Sequence, residues 1–184
     1  MTARLRSFPA PLLGVVAWSG SGKTTLLTQL LPRLVDMGWR PAVIKHAHHS
    51  FDIDHPGKDS YRLRQAGAGQ MLVASRHRYA LITELPEATT EPDLAQLLPR
   101  LDSSQLDLVL IEGFKQATGF PKLVVERQAC GNPPLWPEVT EAIAVVCDDE
   151  QPHCPLPQLP LNDVRIVAEW IDQWLTAQRE GATS

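Results

Sequence analysis

Residues 17–25 read AWSGSGKTT, entered from the apolar run Leu12–Val16 and left through a leucine-rich segment. The stretch fits the phosphate-binding loop pattern G-x-x-x-x-G-K-[ST] at every position but the first, where Ala17 replaces glycine. In such a loop, successive backbone N–H groups converge as an anion nest at a helix N-terminus. Glycine is required only where the backbone takes positive φ or passes too close to phosphate for a Cβ. Gly20 and Gly22 hold those inner positions, whereas Ala17 falls at the junction with the strand, where extended backbone suits alanine. The cradle is therefore expected to survive the substitution.

The roles follow from position. Ser19, Gly20, Ser21 and Gly22 supply the backbone of the nest. Lys23 is expected to reach the β- and γ-phosphates, and Thr24 to offer its hydroxyl to Mg²⁺. Thr25 supports the α-phosphate end. A second element must help to hold the metal. The run LDLVLIEGF places Glu112 directly after an apolar strand, the position from which an acid binds Mg²⁺ directly or through water. Lys23 and Glu112 are thus the candidate catalytic residues, and Thr24 and Glu112 the candidate metal ligands. No residue is obviously placed to orient an attacking water.

Working outward, strands and helices alternate. Helical spacing at Leu27, Leu30, Leu31 and Leu34 marks a helix over 24–37, stopped by Gly38 and kinked or shortened at Pro32. PAVIK at 41–45 reads as a second strand, and a polar loop covers 46–57. A short helix follows, ending near Gly67 or Gly69. Gln70–Ser75 and Tyr79–Thr83 read as a β-hairpin. Thr90-Glu91-Pro92-Asp93 resembles a capping box opening a helix to about Leu101. Strands are expected at 106–111, 122–126 and 142–147. Four prolines exclude a helix or central strand from 148–161. Asn162 or Asp163 then caps a helix with Val164, Val167, Ile171 and Trp174 on one face. The pattern implies a single α/β domain over 1–184: a three-layer αβα fold of the P-loop NTPase type, its sheet largely parallel, with a hairpin insertion near 70–83.

Composition bounds the function. The 184 residues carry 43% hydrophobic and 21% charged side chains, an ordinary globular balance. A net charge of −4 argues against a general nucleic-acid or membrane-surface binder. No apolar run reaches the ~18 residues that span a bilayer. The arginines and apolar residues at the N-terminus mimic a signal peptide but lack a cleavage site, and read as a core strand. Three cysteines without C-x-x-C spacing suit a reducing, cytoplasmic setting.

The segment IKHAHHSFDIDHPGKDSYRLRQAGA, 44–68, is unusual. Lys45 ends a strand and belongs at the carboxyl edge of the sheet, beside the phosphate loop. His46, His48, His49 and His55 crowd the next stretch with Asp52 and Asp54. Three readings stay open: a metal site, recognition of an anionic ligand by Lys45, His46, His49 and nearby basic residues, or a solvated polar loop. Asp148, at the end of AIAVVCDD, is a candidate base-reading carboxylate or an ordinary solvated acid; no N-K-x-D guanine motif occurs. Phe114, Phe120 and Trp136 are candidates for a contact surface or for the core.

AWSGSGKTTLL, VIKHAHH, D-x-D-x-x-GKDSYRLRQAGA and LDLVLIEGFK, in this order and spacing, resemble the molybdopterin-guanine dinucleotide biosynthesis protein B (MobB) family over about residues 11–175. The loop alone points only to the broad nucleotide-binding class; IKHAHH followed by GKDS and AGA is more selective. The resemblance implies a cytoplasmic homodimer that binds GTP with Mg²⁺ and hydrolyses it weakly. It further implies an adaptor assisting the guanylyltransferase MobA, which attaches GMP to molybdopterin. A small-metabolite kinase would use the same loop and Glu112, and is the rival class. A nucleotide-stabilised binding module without catalysis is another.

Overall fold

The computed structural model describes residue 5 and residues 7–47, 51–85 and 91–182. By contact density they form two compact units, 1–46 with 93–184, and 47–92. The segment set into the sheet unit is thus longer than the hairpin itself.

The larger unit is built on six parallel strands: β1 (Leu12–Ala17), β2 (Pro41–Lys45), β5 (Leu108–Glu112), β6 (Lys122–Glu126), β7 (Ala142–Cys147) and β8 (Gln158–Pro160), in the order β2-β5-β1-β6-β7-β8. β1 is central. Its register against β5 runs from Leu12 opposite Val109 to Val15 opposite Glu112. That register sets Glu112 and the loop after Ala17 at the same carboxyl edge of the sheet. The short β8 lies at the sheet's edge and ends on Pro160, the kind of strand that a proline-rich stretch permits.

Alternation along each strand sorts side chains to two faces. Leu13 and Val15 of β1, Leu110 of β5, Leu123 and Val125 of β6 and Val146 of β7 share one apolar cluster. Against it pack Leu26, Leu27, Leu30 and Leu34 of α1 (Lys23–Asp36) and Val164, Val167, Ile171 and Leu175 of α4 (Val164–Ala182). Leu175, not the half-buried Trp174, completes the inner stripe of α4. Asp163 caps this helix, its Oδ1 accepting the Arg165 N–H at 3.1 Å. Helix α1 runs on through Pro32 to Asp36, so the proline does not shorten it. The opposite face is covered more thinly. Leu12, Val109 and Ile111 meet Leu94 and Leu98, together with Phe114 and Phe120, which are core residues rather than a contact surface.

Helix α3 (Leu94–Leu97) is a single turn that continues as a 3₁₀ turn over Leu98–Arg100. Pro99 lacks the N–H that a longer α-helix would need there. Its cap is Asp93, whose Oδ1 accepts the Ala95 N–H at 2.9 Å; the expected capping residue Thr90 lies outside the described residues. The smaller unit holds α2 (Asp59–Gln65) and the antiparallel pair β3 (Gln70–Ala74) and β4 (Tyr79–Thr83). Within it, Arg64 gathers Asp52, Asp54 and Glu84, donating to Asp52 Oδ1 at 2.7 Å. None of its described residues is buried.

Candidate functional site

The strand β1, the turn at 18–22 and the start of α1 place the loop residues in sequence. Gly20 and Gly22 take φ of 79° and 90°, the left-handed region where glycine avoids the Cβ penalty. Gly22 is the N-cap of α1, and its carbonyl accepts the first helical bond, from Leu26 N–H at 2.9 Å. Ser21 is buried, and Ser19, Gly20, Thr24 and Thr25 are exposed. Ala17 closes β1 in extended pairing with Val125. Its contribution is its carbonyl: Lys23 Nζ donates to Ala17 O at 3.2 Å and to Trp18 O at 3.1 Å. An alanine side chain is indifferent to that role.

Glu112 is the hub of the second element. Buried at the end of β5, it accepts on Oε1 from Thr24 Oγ1 at 3.3 Å and from Lys45 Nζ at 3.0 Å. The sequence-predicted residues Lys23, Thr24, Glu112 and Lys45 are therefore brought together by three neighbouring strands, β1, β5 and β2. Burial holds the Lys23 ammonium below the ordinary lysine pKa; Glu112 opposes that shift and Lys45 adds to it. The chain turns sharply after Glu112. Gly113 has φ of 87°, and a β-carbon there would come within 2.9 Å of the His46 Cβ. His46 donates its N–H to the Glu112 carbonyl at 2.9 Å, and its ring lies 4.8 Å from that of Phe114. His46 thus packs at the edge of the site.

The histidine-rich stretch divides between the units. His48 and His49 lie outside the described residues. Asp52 and Asp54 are engaged with Arg64. Among the described residues, no group of three or more histidine, cysteine or acidic side chains is arranged to hold a metal ion. Asp148 is tied down, its Oδ1 accepting the Gln128 N–H at 2.8 Å, and so it links the ends of β7 and β6.

Two residues escaped the sequence reading. Arg127 follows β6, and a β-carbon on Gly22 would lie 3.4 Å from its Nη2, so the guanidinium borders the phosphate loop. Glu126, buried at the end of β6, accepts from Leu135 N–H at 2.7 Å and Trp136 N–H at 3.0 Å. The signal available was the tripeptide Glu-Arg-Gln after an apolar strand. Its nearness to the loop depends on β6 pairing with β1, which spacing alone does not reveal.

Comparison with known proteins agrees with this geometry. Residues 12–148 match the family model described as molybdopterin guanine dinucleotide synthesis protein B, MobB. The chain is similar to the molybdopterin-guanine dinucleotide biosynthesis adapter protein of Escherichia coli (strain K12), with 45% identity over 168 residues, 91% of this chain and 95% of that protein. It is also similar to the protein so named in Haemophilus influenzae, at 40% identity over 90% of this chain and 89% of that one. A crystal structure of molybdopterin-guanine biosynthesis protein B superposes with a TM-score of 0.70 at 30% identity, covering 90% of this chain and 99% of the other. A MobB structure from Bacillus subtilis shares the fold, with a TM-score of 0.69 at 24% identity. With the loop, the acidic strand end and the sheet order in place, the chain belongs to the molybdopterin-guanine dinucleotide synthesis protein B family.

Proposed function

We propose that this chain is a GTP-binding adaptor in the attachment of GMP to molybdopterin, working beside the guanylyltransferase MobA. The observation that carries the reading is the convergence of Lys23, Thr24 and Glu112 at the phosphate loop of a member of this family. Backbone N–H groups at 19–22 and the Lys23 ammonium would hold the phosphates. The paired oxygens of Thr24 and Glu112 are the hard donors that Mg²⁺ takes. Bound there, Mg²⁺ would neutralise charge on the β- and γ-oxygens. Lys45, with its ammonium on Glu112 and its side chain half-exposed, borders the same space and would meet an anionic group of the pterin ligand.

Hydrolysis is secondary in this reading. The Glu112 oxygen that faces the loop already accepts from Thr24 and Lys45, which suits metal holding better than water activation. Self-association as a homodimer is part of the proposal. It is supported by the apolar side chains of Leu72, Val73, Tyr79 and Leu81, exposed on a two-stranded hairpin that is marginal by itself. Among the described residues no helix is long and apolar enough to cross a membrane, in keeping with action in the cytoplasm. The test is the affinity for MobA loaded with molybdopterin, measured with and without Mg-GTP. Tighter association with Mg-GTP, lost in Thr24→Ala, is expected. Association indifferent to nucleotide would overturn the adaptor reading.

A further inference from the structure

Glu112, Thr24 and Lys45 mark the side of β1 that faces β5 and β2 as the metal and terminal-phosphate end of the loop. A nucleotide threaded through the loop must then send its nucleoside the other way, toward β6 and β7. A cavity of about 220 Å³ lies there. It borders the loop at Trp18 and Ser21, and it is walled by Glu126 at the end of β6, by Arg127 just after it and by Gln151 after β7. Sites for whole drug-sized ligands run to about 300–1,000 Å³, so this volume suits a single heterocycle. Carboxyl ends of strands are where open α/β sheets bind ligands.

One polar group in this wall stands out. Glu126 is 7% exposed, and the amides of Leu135 and Trp136 both bond to its Oε1. Both bonds fall on Oε1, which leaves Oε2 as the acceptor that Glu126 can offer as part of the cavity wall. The two amides fix the carboxylate in place. A fixed carboxylate oxygen accepts but cannot donate. The Watson–Crick edge of guanine offers two adjacent donors, N1–H and N2–H. Adenine presents the N1 lone pair at the same edge.

We propose that this cavity receives the nucleobase and that Glu126 Oε2 selects guanine over adenine. The proposal rests on the nucleotide reading of the phosphate loop. Trp18, whose indole N–H donates to Pro133 O at 2.9 Å, gives the cavity a fixed aromatic wall. Asp148, tied to Gln128, does not line it.

The test is calorimetric titration of the full chain with Mg-GTP, Mg-ATP and inorganic tripolyphosphate. Glu126→Gln keeps an acceptor for the Leu135 and Trp136 amides but turns a donor toward the base. It should lose at least tenfold in GTP affinity, hold or gain affinity for ATP, and leave tripolyphosphate unchanged. Asn132→Trp, at an exposed rim position of the cavity, should weaken both nucleotides and spare tripolyphosphate. Equal binding of GTP and ATP by the unaltered protein would overturn the proposal while leaving the loop reading intact. So would unchanged GTP affinity in Asn132→Trp, or a GTP preference retained by folded Glu126→Gln. Failure of the unaltered protein to bind any of the three probes would overturn the loop reading itself, and the base assignment with it.

Discussion

At the residue scale, the phosphate-binding role proposed for Lys23 is set against stability. Its ammonium is partly buried and its pKa is lowered, chiefly by desolvation. A lysine whose folded pKa lies below its unfolded value subtracts stability while both states are charged. That penalty fades as pH rises through the folded pKa toward the ordinary 10.5. Lys23→Met is therefore expected to match or exceed the unaltered protein in thermal midpoint at neutral pH, with any gain shrinking at alkaline pH. A scan of midpoint against pH checks this; a clear loss of stability at neutral pH would contradict it. The residues most legible in the sequence were those whose role follows from local spacing. Lys23 and Thr24 follow Gly22 directly, and Glu112 ends an apolar strand. Lys45 was legible as a basic residue at a strand end, but its bond to Glu112 was not. That contact needs β2 beside β5, a long-range pairing. Glu126 and Arg127 were missed for the same reason.

At the scale of elements, the fold rests on α1 and α4 covering one face of the sheet. Leu30 of α1 is wholly buried there. Leu30→Ala is expected to cost about 2–5 kcal/mol, the range for a buried leucine cut back to alanine, read by chemical denaturation. A second clamp sits at the amino ends of the strands, away from the site. Asp107, just before β5, accepts from Arg40 Nε at 2.8 Å and from Arg179 Nη2 of α4 at 2.7 Å. Its hydrogen bonds with Arg40 hold its carboxyl below the usual 3.8. Such a group contributes stability that is full above 3.8 and is lost as pH falls through the folded pKa. Asp107→Asn should therefore lower the thermal midpoint at neutral pH, the gap closing under strong acid, with nucleotide affinity unchanged. A gap that persists undiminished in acid would contradict the ionic origin. Strands and long helices were legible because their periodicity is strong. The helix expected over about 91–101 was not, because Pro99 limits it to one α-turn and a 3₁₀ turn.

At the scale of the whole molecule, two compact units differ in how they are stabilised. The sheet unit has three buried apolar clusters. The described residues of 47–92 include none that is buried. Local opening free energy follows buried apolar contact. Amides of β3 and β4 should therefore exchange with deuterium well before those of β1, β5 and β6, and self-association should slow them. Equal protection of both units in dilute protein would contradict this. The alternating pattern and the hairpin were legible in the sequence, but the extent of the second unit was not, since its limits depend on contacts rather than composition. The proposed nucleotide binding depends at this scale on the sheet holding Ala17–Thr24 and Glu112 at one edge. The most direct test is calorimetric titration of the full chain with Mg-GTP, beside Lys23→Met. Saturable 1:1 binding by the unaltered protein, weakened at least tenfold in the variant, is the expected result. Absence of binding by the unaltered protein, or equal affinity in the variant, would contradict a nucleotide site built on the phosphate loop.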